Sequence, residues 1–482
     1  MFDEKGWKKL LQLSADKVNV RTDSRKVEPG DIFVAIPGPK QNGADFIPQA
    51  VEKGAAYILT CAEIKECEAE VIRHPDPAAA LGELARAYFK TDRLKLKVVG
   101  ITGTNGKTTV SYLIEHLLSS AGMKVGVLGT VAYRWPGFKI DAPLTTPDCW
   151  TLHSYIAKME ADGVDVAVME VSSHALHQNR AAGIEFDCAV LTNVTQDHLD
   201  YHGDMESYFE AKSLLFKSCP REGKQAVINY DDPYGKRLLE DYSPATGFGL
   251  TDPYESKADQ LHGEMLSCTG NGLHLKMTYK GQSWELDSDL IGRHNGSNLL
   301  AAQGVGLFFG LTAEDMKKFS SFHGVPGRLE RVRNDKGLNI FVDYAHTPDA
   351  LDNVLSTLNE LDFERVITVF GCGGDRDRTK RPLMGKAVCS KTDIAVMTSD
   401  NPRTENPEAI LDDIRPGLSS CTEVIEEVDR SKAIRKAVEI MNSNDVLLIA
   451  GKGHETYQIV GTTKHPFSDS EEVTKALGEI YA

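Results

Sequence analysis

The residue types best suited to chemistry are concentrated in Lys97-Val-Val-Gly-Ile-Thr-Gly-Thr-Asn-Gly-Lys-Thr-Thr109. An apolar run passes into a glycine-rich turn, and a helical pattern follows over Val110–Leu118. Gly103 and Gly106, with Thr104 and Asn105 between them, let backbone amides approach a phosphate closely. Those amides and the helix N-terminus present a positive field. Lys107 is spaced to reach β- and γ-phosphates, and Thr108, followed by Thr109, offers a hydroxyl to Mg²⁺. One position departs from the strict G-x-x-x-x-G-K-[ST] spacing, since Ile101 stands where the first glycine belongs. ATP binding is expected, but a loop of this kind fits motors, GTPases, kinases and ligases alike.

The residues around the loop narrow the choice. Val164–Val171 reads as a buried strand carrying Glu170, followed by Ser172-Ser-His174. A carboxylate at the C-terminal end of a parallel strand sits over the crevice where such folds bind ligands, so it can hold Mg²⁺ against a γ-phosphate. The next strand ends in Asn193-Val-Thr-Gln-Asp-His198-Leu-Asp-Tyr-His202, a cluster of oxygen and nitrogen donors. Either residue alone reads equally well as a cap or a satisfied core histidine; together, on consecutive strands beside the loop, Glu170 and His198 favour metal binding. Lys212, on the amphipathic helix Ser207–Phe216, reads from spacing alone as an ordinary surface lysine.

The elements that must position these groups alternate strand and helix. Over the first 95 residues, short strands (Asp31–Ile36, Ala55–Leu59) alternate with helical stretches such as Ala78–Phe89. From 96 to about 210 the apolar strands Val98–Thr102, Lys124–Leu128, Val164–Glu170 and Cys188–Asn193 are separated by helical segments, the rhythm of a helix-covered parallel sheet. Residues 222–290 suggest an antiparallel appendage, and beyond Val325-Pro-Gly327 the parallel rhythm returns. An α/β protein of three domains is expected, at 1–95, 96–325 and 326–482. A chain of 482 residues is too long for one core.

A net charge of −16 with no basic tract excludes a general nucleic-acid role, because neutralising a phosphate backbone needs clustered Lys and Arg. The longest aliphatic run, Val446–Ala450, is far short of a membrane span, which takes about 20 residues. Nine scattered cysteines without a C-x-x-C pair suggest neither a disulfide framework nor a zinc site, so a reduced, cytoplasmic protein without membrane insertion is expected.

Seven motifs occur in one order: Thr102–Thr109 (TGTNGKTT), Glu170–His174 (EVSSH), Asn193–His202 (NVTQDHLDYH), Ala211–Phe216 (AKSLLF), Gly292–Asn298 (GRHNGSN), Pro326–Glu330 (PGRLE) and Asp343–Pro348 (DYAHTP). This set resembles the Mur ligases along almost the whole chain. Thr22–Arg25 (TDSR), Leu144–Pro147 (LTTP), Gly373–Arg378 (GGDRDR), Asp400–Arg403 (DNPR) and Gly451–Glu455 (GKGHE) resemble, more narrowly, members that add a third residue to a UDP-N-acetylmuramoyl dipeptide.

The resemblance implies a uridine-binding domain, a central phosphate-loop ATPase domain and a C-terminal Rossmann-like domain that receives the amino acid. It also implies two Mg²⁺ sites, held by Thr108, Glu170, His198 and Lys212, with Lys212 carbamylated by CO₂ into an anionic ligand. Asn295, Asn298, Arg328 and Asp343 would join the loop at the nucleotide. Thr22, Ser24, Pro39, Lys40 and Gln41 would meet the uridine diphosphate, and Thr145, Thr146, Ser172, Gln178 and Arg180 the sugar-peptide end. The implied reaction passes through an acyl phosphate, with Lys107 and the metal ions neutralising the approach of two anions. His202, Asp343 and His346 remain alternatives for helping the amine lose its proton.

Within such ligases, Arg at the end of the Asp400-Asn401-Pro402-Arg403 motif goes with meso-diaminopimelate. A guanidinium grips a carboxylate through two parallel hydrogen bonds, and diaminopimelate is lysine bearing a second carboxylate. Arg376, Gly451 and Glu455 fall at matching positions, Glu455 suited to the distal ammonium. The implied partners are small molecules only: ATP, the UDP-sugar dipeptide and diaminopimelate, acting on a monomer. The rivals are a lysine-adding ligase, folylpolyglutamate synthetase and an ATPase switch. The first 95 residues and the Asp400–Arg403 motif have no place in folylpolyglutamate synthetase, and Lys212 and Asp400–Arg403 none in an ATPase switch.

Overall fold

A computed structural model describes residues 2–38, 41–217, 225–242, 244–254 and 258–481. The chain forms two compact units. The first comprises Met1–His262, Thr278–Gln282 and Ser297–Met316; the second comprises Gly263–Met277, Ser283–Gly296 and Lys317–Ala482.

The first unit opens with a parallel sheet of four strands in sequence order: β1 (Val20–Arg21), β2 (Ile32–Ala35), β3 (Tyr57–Thr60) and β4 (Glu70–Arg73). Helix Pro77–Phe89 starts where Asp76 accepts from the amides of Ala78 and Ala79, with proline at the first position, where its missing N–H costs nothing. Its apolar face packs Leu81 and Leu84 on Ile32, Val34 and Leu59.

The large sheet of this unit comprises β5 (Lys97–Thr102), β6 (Val125–Leu128), β7 (Ala132–Trp135), β8 (Phe138–Asp141), β9 (Val166–Glu170), β10 (Cys188–Leu191), β11 (Gln225–Asn229), β12 (Ala245–Gly249) and the start of β13 (Asp259–Thr269). Their order is β8-β7-β6-β9-β5-β10-β11-β12-β13. Strands β6, β9, β10 and β12 are buried along their whole length, which explains their unbroken apolar runs: both faces are covered by helices. The chain runs from β5 to β9 on one side and then crosses to β10 on the other. β5 is therefore a topological switch point, and the loops after β9, β5 and β10 open at the same C-terminal edge.

One sequence expectation needs correction here. Residues 225–249 are not part of an antiparallel appendage: β11 and β12 extend the parallel sheet from β10. Only from β13, through β14 (Gly272–Tyr279) to β15 (Gln282–Ser288), do two-residue connections impose hairpins. The short β11 and β12 carry too few residues for the sequence to tell parallel from antiparallel pairing. The antiparallel β6–β7–β8 edge, where Trp135 stacks on Phe138 at 3.9 Å, was not anticipated at all.

In the second unit a six-stranded sheet runs β16 (Glu330–Arg331), β17 (Asn339–Asp343), β21 (Val446–Ala450), β18 (Val366–Phe370), β19 (Ile394–Met397), β20 (Glu423–Glu426). It is parallel except at β16. Apolar cores fill both faces, one around Leu351, Phe370 and Ile414, the other around Val342, Ile434 and Val473. A separate hairpin pairs β22 (Tyr457–Val460) with β23 (Thr463–Pro466).

The expectation of reduced cysteines is also corrected. Helix Lys380–Cys389 packs beside the turn Arg415–Leu418, which brings Cys389 and Cys421 into a disulfide across 32 residues. A spacing of that length carries no local signal. No helix among the described residues is long and apolar enough to cross a membrane.

Candidate active site

The glycine-rich loop after β5 is shaped by the strand ends on either side. Gly103 has φ +150° and Gly106 φ +86°, values that L side chains rarely adopt. A side chain at Gly103 would strike Thr192 Oγ1, and one at Gly106 would strike Asn298 Oδ1. Below β10, Thr192 donates to the Asn105 carbonyl (2.6 Å), Asn193 Oδ1 accepts from the Asn105 amide (2.9 Å), and Thr104 N bonds the Asn193 carbonyl (2.8 Å). Asp232, buried and shifted towards its protonated form by desolvation, accepts from the Val194 amide (2.8 Å) and holds that segment in place. Lys107 begins helix Lys107–Ser120, its Nζ donating to the carbonyls of Gly103 and Thr104 (both 2.9 Å).

Glu170, at the end of β9, is 1% exposed and fully engaged. Its Oε2 accepts from Thr108 Oγ1 (2.9 Å) and Thr130 Oγ1 (2.8 Å), while Oε1 accepts from the Thr130 amide (3.1 Å). The loop hydroxyl and the strand-end carboxylate are therefore in direct contact. Thr130 was missed in the sequence, although it follows Gly129, where any side chain would collide with Glu170.

From Glu170 a polar chain continues outward. Thr146 donates to the Glu170 carbonyl (2.9 Å) and accepts from the Ser172 amide (3.1 Å); Thr145 lies 3.2 Å from Thr130 Oγ1. Ser172 caps helix Ser173–His177 through the Ala175 amide (3.2 Å). Arg180 donates through Nε (3.1 Å) and Nη2 (2.7 Å) to Gln178 Oε1, and Nη1 lies 3.5 Å from the Thr146 carbonyl. Tyr201, also missed, fixes Gln178 from the other side: its hydroxyl accepts from Gln178 Nε2 (3.1 Å) and bonds His177 Nδ1 (2.9 Å). All five expected sugar-peptide residues thus belong to one network with the phosphate loop.

The four residues expected around Mg²⁺ do not all come together. Thr108 and Glu170 come together, but among the described residues no three His, Cys, Asp or Glu side chains converge as a metal-holding group. His198, in left-handed backbone at φ +54°, instead stands edge-on to His174 (4.8 Å) with Nε2 3.4 Å from Asp197. Two strand-end loops with such different geometry cannot be aligned from sequence alone. His202 bonds Ser173 Oγ through Nε2 (3.0 Å), and desolvation, with the charge of nearby histidines and Lys212, pushes its imidazole down to about 4.

Lys212 is not the surface lysine that its spacing suggested. It lies on helix Met205–Lys217, 1% exposed, with Nζ 4.2 Å from the Tyr208 ring one turn earlier. Burial first, and the charge of Lys107 second, push its ammonium well below the ordinary lysine range.

Other expected residues vary. Ser24 is buried against Gln49 Oε1 (2.6 Å), whereas Thr22 and Gln41 are exposed; Pro39 and Lys40 lie outside the described residues. Asn298 borders the loop at Gly106. In the second unit, Asn295 bonds the Ile291 carbonyl (2.8 Å), and the Arg328 guanidinium sits 5.2 Å from the Tyr344 ring. Asp343 uses both carboxylate oxygens on the amides of Leu329 and Ala345 (2.7 Å each).

The second unit has its own cavity, of about 610 Å³. Arg376, Asp400, Asn401, Arg403, Gly451 and Glu455 all line it, although they come from three separate loops. Pro402 does not; it packs against Gly374. Arg403 sits at φ +50° and donates from Nη1 to the Gly374 carbonyl (2.7 Å). Its backbone is clamped by the β22–β23 hairpin, through Arg403 N to Ile459 O (3.0 Å) and Gly461 N to Arg403 O (2.7 Å).

A phosphate loop whose hydroxyl meets a buried strand-end carboxylate, joined to a Thr/Ser/Arg network, is the arrangement of an enzyme that acts on a nucleoside triphosphate. The chain belongs to the Mur ligase family: the model of the Mur ligase middle domain matches residues 101–306, that of the glutamate ligase domain 327–453, and that of the family's catalytic domain 18–89. Within the family it is similar to the UDP-N-acetylmuramoyl-L-alanyl-D-glutamate--2,6-diaminopimelate ligases of Lawsonia intracellularis (52% identical, covering 95% of each chain) and Gloeobacter violaceus (46%, covering 96% of this chain and 94% of that one). A solved structure of a ligase with the same name superposes with a TM-score of 0.71 at 35% identity, covering 96% of this chain and 95% of that one. The folylpolyglutamate synthase of Mycobacterium tuberculosis shares the fold at 21% identity and a TM-score of 0.59, but covers only 78% of this chain and 92% of its own.

Proposed function

We propose that this protein joins meso-2,6-diaminopimelate to the D-glutamyl carboxylate of UDP-N-acetylmuramoyl-L-alanyl-D-glutamate, converting ATP to ADP and phosphate. The observation that carries this reading is the unbroken network from Thr108 through Glu170 to Thr146, Ser172 and Arg180. It ties the γ-phosphate end of an ATP loop to groups suited to a carboxylate-bearing substrate. Residues 1–95 take the uridine end, 96–325 the ATP, and 326–482 the amino acid.

In the first step a substrate carboxylate oxygen attacks the γ-phosphorus and the bond to the ADP oxygen breaks. Lys107 and the loop amides stabilise the charge that builds up between two anions. Arg180 orients the acceptor carboxylate. In the second step the amine nitrogen attacks the acyl carbon, phosphate leaves, and the nitrogen loses a proton.

Thr108 and Glu170 fit Mg²⁺, which prefers hard oxygen donors, and the ion when bound supplies further charge neutralisation at the phosphates. Lys212 fits carbamate formation. Its neutral amine attacks CO₂, the new N–C bond forms as a proton leaves, and the lysine becomes an anion in a place where an ammonium is poorly tolerated. Lys212→Ala is expected to lower kcat roughly 100-fold. Assays in CO₂-depleted buffer should lower wild-type activity and leave this variant unchanged. Equal sensitivity of both proteins would remove the carbamate from the account.

Phosphate release from ATP, with the UDP-sugar dipeptide and either meso-diaminopimelate or L-lysine, tests the whole reading. Release should require both the dipeptide and diaminopimelate. Release with lysine would keep the ligase and change its acceptor, whereas release needing neither would make the protein an ATPase.

A further inference from the structure

We infer that Lys452 is a positioning residue for diaminopimelate, acting through Glu455; the inference rests on the reading of the 610 Å³ cavity as the diaminopimelate site. Lys452 does not line that cavity. Its side chain is 0% exposed and lies behind the wall formed by Asn401 and Glu455. Nζ donates to Glu455 Oε2 (3.1 Å) and Asn401 Oδ1 (3.2 Å), and Asn401 Nδ2 donates to the same Glu455 Oε2 (2.9 Å). Two donors therefore pin one oxygen of Glu455 from behind, and Oε1 takes part in neither bond. That leaves one carboxylate oxygen for a ligand ammonium.

The same clamp reaches Arg403. Asn401 Oδ1, held by Lys452, also accepts from the Ile459 amide (2.8 Å), and the Ile459 carbonyl accepts from Arg403 N (3.0 Å). Gln458 ties the hairpin to the Asp400 carbonyl (2.6 Å). A cation with no exposure whose hydrogen bonds, among the described residues, are these two, with the Tyr457 ring 5.8 Å away, is costly to keep unless its geometry matters. Here it sets the distance between the group suited to the ligand's ammonium and the group suited to its distal carboxylate. A lysine ammonium suits this role because it is a compact point charge, whereas a guanidinium would bridge both oxygens of Glu455 as a fork.

The test is steady-state phosphate release on the full-length protein, with KM measured separately for diaminopimelate, ATP and the UDP-sugar dipeptide. Lys452→Met should raise KM for diaminopimelate roughly 100-fold, as expected when a positioned group drifts by about 1 Å, with the other two KM values unchanged. Combined with Glu455→Gln, it should add little to the loss that Glu455→Gln causes alone, because the two residues act as one unit. An unchanged diaminopimelate KM in Lys452→Met, or losses that simply add, would overturn the inference. If Lys452→Met fails to fold, Lys452→Arg replaces it. It keeps the charge and should still raise that KM by taking both Glu455 oxygens, and a wild-type value would be equally fatal. If Glu455→Gln itself leaves the diaminopimelate KM unchanged, the assignment of the cavity fails first, and the role of Lys452 falls with it.

Discussion

Lys107→Ala should lower turnover by about 10³- to 10⁵-fold, the range seen when a preorganised cation at a transferring phosphoryl group is removed. The geometry makes the effect specific. Lys107 Nζ bonds the Gly103 and Thr104 carbonyls, but the loop is also held without it, by Thr192 on the Thr102 and Asn105 carbonyls and by Asn193 on the amides of Thr104 and Asn105. The loop should survive the substitution, so thermal unfolding should change little while kcat collapses. Glu170→Ala is a different kind of loss. It removes the acceptor for Thr108 and for both donors of Thr130 at a buried position, so it should reduce stability as well as turnover. Measuring kcat and melting temperature side by side for the two variants separates chemistry from scaffolding. Near-normal turnover in Lys107→Ala would contradict the phosphoryl-transfer role outright.

The contrast between these residues also shows what a sequence can and cannot carry. The loop was legible because its chemistry is local: strand, glycines, lysine and helix follow one another within 13 residues. Glu170 was legible because a carboxylate ending an apolar strand is itself a local pattern. Thr130 was not, because its partner lies 40 residues away, and neither was Tyr201, whose hydroxyl serves side chains 23 and 24 residues earlier. Lys212 read as a surface lysine because its helix is amphipathic by composition, whereas packing turns it inward beside Tyr208. Parallel pairing of β11 and β12, and the meeting of Cys389 with Cys421, depend on which elements become neighbours in the fold. The residues expected to hold a metal fall between these cases. Thr108 and Glu170 are joined by adjacent strands, while the position of His198 depends on an unusual backbone turn at its own residue.

Arg403→Ala should change which amino acid the enzyme accepts more than how fast it turns over. In the wild type, a ligand without a distal carboxylate leaves the guanidinium half-buried and bonded, among the described residues, to the Gly374 carbonyl alone. A site built for a polar group rejects the analogue lacking it by about 10⁴-fold, because the unmatched group pays its desolvation without return. Removing the guanidinium removes both the attraction for diaminopimelate and the penalty against lysine. The ratio of kcat/KM for diaminopimelate over lysine should therefore fall by about 10³-fold or more, mostly through the diaminopimelate KM. The backbone bears on the choice of substitution. At φ +50° a side chain other than glycine is strained, so Arg403→Gly would relieve strain and could loosen the β22–β23 clamp, whereas alanine keeps the same backbone restraint. Competition assays with both amino acids at equal concentration would give the ratio directly. A preference unchanged in Arg403→Ala would mean that discrimination resides elsewhere in the cavity, with Arg376, which also lines it, the next residue to replace.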